Sequence, residues 1–580
     1  MILQRLLEYA DSRMQLPPVM YGDAPVRWTI VLSPDGALSG FVSRGGGKEN
    51  RRGENMLVPS VVRAAGIKPK LLADNGEYVL GIGRADAVPK KVADRHRHFV
   101  DLTRRCADAT ESDEVRAVVA FLERWDAGEF REEVEGREGF DPQDDLTFRV
   151  GGVYPVDLDE VRAFWAAETG GKDAPELMCL VTGAVGPVEK RLPVKVKGLT
   201  RIGGQSAGTS LVSANAPAFE SYGLENSLTS PISRDAGERF GKALNELLAG
   251  EKSQVRVGNV VYVFWTREPA EIDIGMFMER PDPDRVKDLM RSAETGRHDG
   301  AGVGSNRFYA LALSASGGRA VVRDWLETTI PEVERNLRRW FLAQEIVDYS
   351  GGEANPLSVF RLAASAYRDA SKEMQPAVSA AMVRVALNGG RLPYDLLARA
   401  VRRCAVGTAR QDGTREHVTR ERAALVKAIF TTQGRLDMSE MKTLNPDPKL
   451  DGEDREAYAC GRLLAELEGI QRAALGRINA TITDRYYGAA SSTPASVFGM
   501  LVGDAQSHLS KLRKTKPGVH SAVQERLEEI MSSLGGYPKT LTMERQGLFS
   551  LGYYHQRAQN RADIKAASDK KRENSDGEEN

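Results

Sequence analysis

The chain has 580 residues, 41% of them hydrophobic and 28% charged, with 80 basic residues against 81 acidic ones and a net charge of −1. That is long enough for two or more folded domains and too apolar for wholesale disorder, and it holds no apolar run near the roughly 18 residues of a membrane span. The balanced charge excludes a uniformly basic nucleic-acid coat, and the scattered Cys106, Cys179, Cys404 and Cys460 indicate neither a disulfide framework nor a cysteine zinc site.

Met1–Glu8 carries apolar residues at helical spacing, an early acid and no small-residue cleavage site, so it reads as a helix, not a signal peptide, and the cytoplasm is expected. Strand-like runs follow at Val26–Leu32, Tyr78–Ile82, Met178–Val185, Val255–Trp265 and Phe308–Leu313, rich in Val, Ile, Tyr, Phe and Trp. Helical patterns lie between them at Glu114–Trp125, Asp157–Ala167 and Gly237–Leu248. Within Val255–Trp265, Gly258-Asn259 predicts a two-residue hairpin turn. From Pro356 the strand signals nearly vanish, and apolar residues recur every three or four positions from Val359 to Leu534. Pro393, Pro494 and Pro517 stand at helix starts. The expected fold is α+β: a mixed α/β domain over 1–345 with antiparallel sheet elements, then an all-helical region. That region divides into a helical segment (356–443), a C-terminal bundle (454–560) and a charged tail (565–580) expected to be disordered.

The motifs that could carry chemistry lack their contexts. Gly204-Gln205-Ser206-Ala207-Gly208 matches a nucleophile elbow, which needs a buried strand before the serine and a helix after it. Here Val194-Lys195-Val196-Lys197 reads as a half-exposed strand, and the β-branched run after the motif ends at Pro217. Gly237-Glu238-Arg239-Phe240-Gly241-Lys242-Ala243 resembles a phosphate-binding Walker loop with its spacing one short and no hydroxyl for magnesium. His96-Arg97-His98 has no cysteine partners, and the acidic pairs form no two-metal pattern. No catalytic residue, metal site or cofactor is expected.

The basic features are more informative. Ser43–Gly53 combines glycines with Arg44, Lys48, Arg51 and Arg52, beside Asn50. Glycines let a backbone approach a groove, and arginines offer paired donors to phosphate or guanine. A second patch holds Lys68 and Lys70 with Asn75. A third holds Lys190, Arg191, Lys195, Lys197 and Arg201 and leads into Gln205–Asn215, a loop of amides and hydroxyls. Lys195 and Lys197 would share one face of a strand. In the helical part, Arg335, Arg338 and Arg339, Arg402 and Arg403, Arg420 and Arg422, and Lys511, Arg513, Lys514 and Lys516 form further clusters, which together suggest a track for a nucleic-acid strand.

Leu192–Gly198, Gly204–Gly208 and Leu211–Gly223 resemble the central signature of the large subunit of type I-C CRISPR Cascade complexes. Leu72–Asn75 with Tyr78–Gly81 resembles its N-terminal block, and Phe549–Gln556 its C-terminal one. Ala243–Leu248, Val263–Trp265, Arg307–Ser314 and Val321–Arg323 extend the likeness over nearly the whole chain. Departures stand at Ala214, Thr229-Ser230-Pro231 and Ala315-Ser316. The resemblance implies a non-catalytic subunit that joins a crRNA, backbone subunits and a crRNA-processing subunit. It also implies recognition of the motif flanking the target in double-stranded DNA, aid to duplex opening, and help in recruiting a helicase–nuclease. Small subunits made from an internal start, at Met438 or Met441, are a further implication. On this reading Lys48, Asn50, Arg51, Arg52, Lys68, Lys70, Asn75, Gln205, Ser206, Thr209, Ser210 and Asn215 are the flanking-motif candidates. Lys195, Lys197, Arg402, Arg403, Lys511, Arg513, Lys514 and Lys516 are the displaced-strand candidates. The competing readings are a purely structural assembly protein, a serine hydrolase at Ser206 and a nuclease.

Overall fold

The structure is a computed structural model. It describes residues 1–18, 20–45, 52–61, 66–126, 140–169, 174–270, 274–279, 281–295, 306–411, 414–434, 441–444, 450, 452–476 and 478–578. The fold is mixed α+β, with sheets among helices in the first part and packed helices in the last. The chain divides into two compact units, Met1–Val196 with Ser210–Asn245, and Lys197–Thr209 with Glu246–Asn580.

The first unit contains α1 (Ile2–Arg13), β1 (Tyr21–Val26), β2 (Trp28–Leu32), β3 (Leu38–Ser43), β4 (Glu54–Pro59), β5 (Ala73–Asn75), α2 (Gly76–Val79), α3 (Pro89–Thr110) and α4 (Asp113–Arg124). β6 (Asp145–Val150), α5 (Asp159–Thr169), β7 (Glu176–Met178), β8 (Val185–Pro187) and most of α6 (Arg234–Ala249) complete it. The main sheet has the order β3-β2-β6-β5. β2 pairs with β6 in parallel, Trp28 opposite Leu146 and Leu32 opposite Val150. A parallel central pair is covered on both faces, which is why Trp-Thr-Ile-Val-Leu is buried almost throughout, without alternation. Phe99 of α3 and Phe121 of α4 pack on Phe148 of β6.

Two of the expected strands take other forms. Tyr78–Ile82 is not a strand: Asn75 caps α2, its side chain accepting from the Tyr78 N–H at 3.4 Å, so the cap prevails over the β-propensity of Tyr and Val. The Trp125 indole N–H then donates to the Leu80 carbonyl at 2.8 Å and seals the turn. Met178–Val185 is mainly the connection of a short hairpin, with β7 paired to β8 at its ends, not one strand.

In the second unit β9 (Gln254–Val257) and β10 (Val260–Thr266) form the expected hairpin, with Gly258 at φ 62° in its turn. α7 (Ile274–Glu279) and α8 (Pro283–Thr295) lead to the long hairpin of β11 (Arg307–Ser316) and β12 (Arg319–Thr329), which completes an antiparallel sheet of order β12-β11-β10-β9. The helices are α9 (Ile330–Gln344), α10 (Val359–Ala364), α11 (Ala370–Glu373), α12 (Pro376–Asn388) and α13 (Tyr394–Val406). After a small hairpin of β13 (Thr408–Ala409) and β14 (Arg415–Glu416) come α14 (Arg420–Gln433), α15 (Gly452–Leu475), α16 (Ile482–Ser492), α17 (Phe498–Thr515), α18 (Pro517–Ser532) and α19 (Met543–Glu578). One continuous apolar core joins the sheet to the helices, from Val255 to Tyr554. The last helix runs to Glu578, past Ile564, its last large apolar residue.

α15 and α19 cross at glycines. A Cβ on Gly461 would overlap the Phe549 carbonyl oxygen, and one on Gly552 would overlap the Tyr458 carbonyl oxygen. The two backbones therefore touch at the centre of the bundle. Around that crossing the polar groups are paired: Tyr553 donates to Glu468 at 2.6 Å, Arg472 to Glu468 at 3.0 Å, and Arg526 to Glu466 at 3.0 Å. Among the described residues no helix is long and apolar enough to cross a membrane.

Candidate nucleic-acid interface

In the first unit, the loop after β3 is anchored at both ends. Arg44 donates to the Tyr154 hydroxyl at 2.8 Å and pairs with Glu54 at 3.0 Å, while Arg27 donates to Ser43 at 2.9 Å. Gly53 adopts φ 100° and presses on the backbone of Val26, a position closed to any side chain. Arg52 is exposed beside it; Lys48, Asn50 and Arg51 lie outside the described residues. Lys68 is exposed. Lys70 is not: its ammonium pairs with Asp145 at 2.6 Å, with only 15% of the side chain exposed. Asn75 uses its oxygen as the α2 cap. Lys70 thus ties the segment before β5 to β6, and Asn75 starts α2. Lys70→Met is expected to lower stability by about 1 kcal/mol and to leave duplex affinity unchanged, which thermal melting beside a binding titration would check.

The segment Lys190–Lys197 is not a strand. Leu192 and Val194 pack instead on α6, where a Cβ at Gly237 would lie 3.1 Å from Leu192 and one at Gly241 2.7 Å from Val194. The Asn245 amide donates to the Lys195 carbonyl at 3.0 Å. This explains the Walker-like spacing: both glycines lie inside a helix and admit an extended segment, while Lys242 pairs with Glu238 at 3.2 Å. Lys195 and Lys197 are exposed with Val196 buried between them, so the alternation survives without a ladder. Ser210 is half-buried and Asn215 exposed.

The Gly203–Gly208 turn belongs to the second unit. It follows a short 3-10 turn, Thr200–Ile202, with no helix after it, so Ser206 lacks the strand–helix frame of a nucleophile elbow. Gly203 and Gly208 take φ 96° and 94°, and Gly208 N–H closes the turn on the Gln205 carbonyl at 3.0 Å. Gly204 forms a parallel bridge with Gly317, at the tip of the β11–β12 hairpin. A Cβ on Gly318 would sit 3.4 Å from Gln205 Oε1, so the glutamine side chain lies along that tip. Gln205 and Ser206 are exposed, whereas Thr209 is fully buried. An amide and a hydroxyl on a glycine-rich turn braced by a sheet form a rigid donor–acceptor pair open to solvent.

On the helices, Arg402 is exposed. Arg403 is half-buried, and burial followed by the nearby Arg422 guanidinium lowers its pKa. Arg422 is itself buried and donates to the Ser365 and His417 carbonyls. Lys511, Arg513, Lys514 and Lys516 are all exposed at the end of α17, where the helix dipole favours cations. Lys516 also donates to the Ala473 carbonyl at 3.1 Å. His96 and His98 each bond a backbone carbonyl, of Tyr78 and Asp94. No group of three His, Cys, Asp or Glu residues arranged for a metal occurs among the described residues, and all four cysteines are buried thiols.

Sequence reasoning missed the role of the β11–β12 tip. The Gly317-Gly318 pair was its only signal, and a pairing partner more than a hundred residues away cannot be read from spacing. No curated protein matches the chain. A family model described as CRISPR-associated protein (Cas_Csd1) matches residues 3–561. The chain therefore belongs to the Cas_Csd1 family, the large subunits of type I-C Cascade complexes.

Proposed function

We propose that this protein is a non-catalytic, cytoplasmic large subunit that reads the motif flanking a guide-matched target in double-stranded DNA and helps open the duplex there. The observation that carries this reading is the exposed Gln205-Ser206 pair on its braced glycine turn. Glutamine matches the paired donor and acceptor of an adenine edge, and a rigid mount fixes its register. Guide pairing would read the target sequence, and the protein only a few base pairs beside it. Arg52, Lys68, Lys195 and Lys197 supply phosphate contacts. Arg402 and the Lys511–Lys516 group hold the displaced strand, and the helical part helps to recruit the helicase–nuclease. Met438, which lies outside the described residues, or Met441, ahead of α15, suits an internal start for a separate small subunit.

In the assembled complex with crRNA and backbone subunits, Gln205→Ala is expected to cost about 1–3 kcal/mol on the preferred motif and little on others. Binding to a panel of flanking sequences would show this. A uniform loss, or none, would defeat the assignment. Changing Lys511, Arg513 and Lys514 together to Gln should instead weaken binding to all sequences and flatten its salt dependence.

A further inference from the structure

The loop from Val347 to Asn355 gathers arginines from distant parts of the second unit. Tyr349 stands at its centre. The guanidinium of Arg561 lies over the Tyr349 ring, with Arg557 5.2 Å and Arg410 5.8 Å from the same centroid. The loop is pinned to α19: Tyr554 donates to the Val347 carbonyl at 2.9 Å, and a Cβ on Gly351 would lie 2.7 Å from Ala562. Arg420, at the start of α14, reaches the other end of the loop through the Asn355 carbonyl.

Arg410 and Arg557 already have carboxylates of their own, and the remaining acids nearby are engaged elsewhere. Glu416 pairs with Arg410 at 2.8 Å, and Glu468 serves Arg472, Tyr553 and Arg557. Glu421 pairs with Arg361 at 2.6 Å, and Asp563 lies 3.6 Å from Arg526. Asp348 accepts from Ser350 and, electrostatically, faces Arg420. Among the described residues Arg561 has no carboxylate partner; its one polar bond is to the Tyr349 carbonyl at 3.4 Å. Yet it is half-buried, and burial alone lowers its pKa to about 10. A guanidinium taken partly out of water with only a ring face and one carbonyl as partners gains from an anion that arrives from outside. Planar, paired N–H donors beside an aromatic ring suit a phosphodiester.

We infer that Arg561, set over Tyr349, forms a phosphodiester site that grips a single-stranded segment of nucleic acid. The inference rests on the nucleic-acid reading above for its polymer, but not on motif recognition by Gln205. The test uses the whole assembled complex carrying Arg561→Met or Arg561→Lys. Melting temperature, retention of guide RNA, and affinity for target DNA are measured, with binding followed as a function of salt. Arg561→Met is expected to melt at the same temperature or higher. It should bind its strand about tenfold more weakly, with the salt slope reduced by about 0.7, while Arg561→Lys keeps most of both. A loss confined to guide retention assigns the site to the RNA, and a loss confined to target binding assigns it to the DNA. Unchanged affinity and slope for both, or lower melting in both variants with an unchanged slope, would overturn the site. So would subunit loss without a change of slope, which would point to a protein carboxylate. Failure of Gln205→Ala to alter motif preference leaves the salt slope of the Arg561 variants independently readable.

Discussion

Glu468→Leu should destabilise the second unit by about 3–5 kcal/mol. Glu468 is 5% exposed and faces Arg557, itself 11% exposed, at 3.8 Å, besides accepting from Tyr553 and Arg472. Removing the carboxylate strands a buried guanidinium and a buried phenol at once. The double variant Glu468→Leu with Arg557→Leu should recover much of the loss, because the cost lies in the orphaned charge more than in the absent attraction. Denaturant unfolding of the four proteins of this cycle measures it. The neighbouring carboxylates also respond oppositely to pH. The Glu468 pKa is lowered: burial, the largest influence, raises it but is outweighed by Arg557, Tyr553 and Arg472. Its contribution is therefore complete above the ordinary carboxylate pKa and disappears as pH falls through the lower folded value. Glu466 is raised by burial, which outweighs Arg526 and Asn560. The folded state holds that proton more tightly, so its contribution is largest in acid and fades as pH rises through the raised value.

Gly461→Ala should cost about 3 kcal/mol. A methyl group in a helix interior normally gains about 1 kcal/mol over glycine, so the sign itself is diagnostic. The clash is with the Phe549 carbonyl and the Tyr553 amide of α19, backbone atoms that cannot swing aside as a side chain can. Gly488 of α16 is the control: nothing lies within 4 Å of its would-be Cβ, and Gly488→Ala should be neutral or stabilising. Thermal unfolding of the two variants checks both signs. The same argument accounts for Gly552 at the heart of Phe549–Gln556, the C-terminal block whose likeness to the family is visible in the sequence.

What was legible in the residues follows from how far a signal reaches. The β9–β10 hairpin is written within a dozen residues, turn included, and the helices of the last part announce themselves by period. Tyr78–Ile82 misled because a cap one residue ahead of α2 set the local structure, against the propensity of the run. Lys70 looked like a free cation because Asp145, its partner, comes 75 positions later. Gly237 and Gly241 imitated a phosphate loop since close helix packing and phosphate approach both ask for a missing side chain. For Lys70 and the two glycines the deciding partner was distant in sequence, and only tertiary structure could supply it.

The bridge from Gly204 to Gly317 also orders events in time. When the ribosome has made Gln205-Ser206, the hairpin tip that braces the turn is more than a hundred residues from existing. At about 5–20 residues per second, the turn waits on the order of ten seconds before it can be set. A chain cut short anywhere before Gly317 would carry Gln205 and Ser206 on an unsupported tether. On the function proposed above, such fragments would be poor competitors for target DNA, and motif reading would begin only once the β11–β12 hairpin is made.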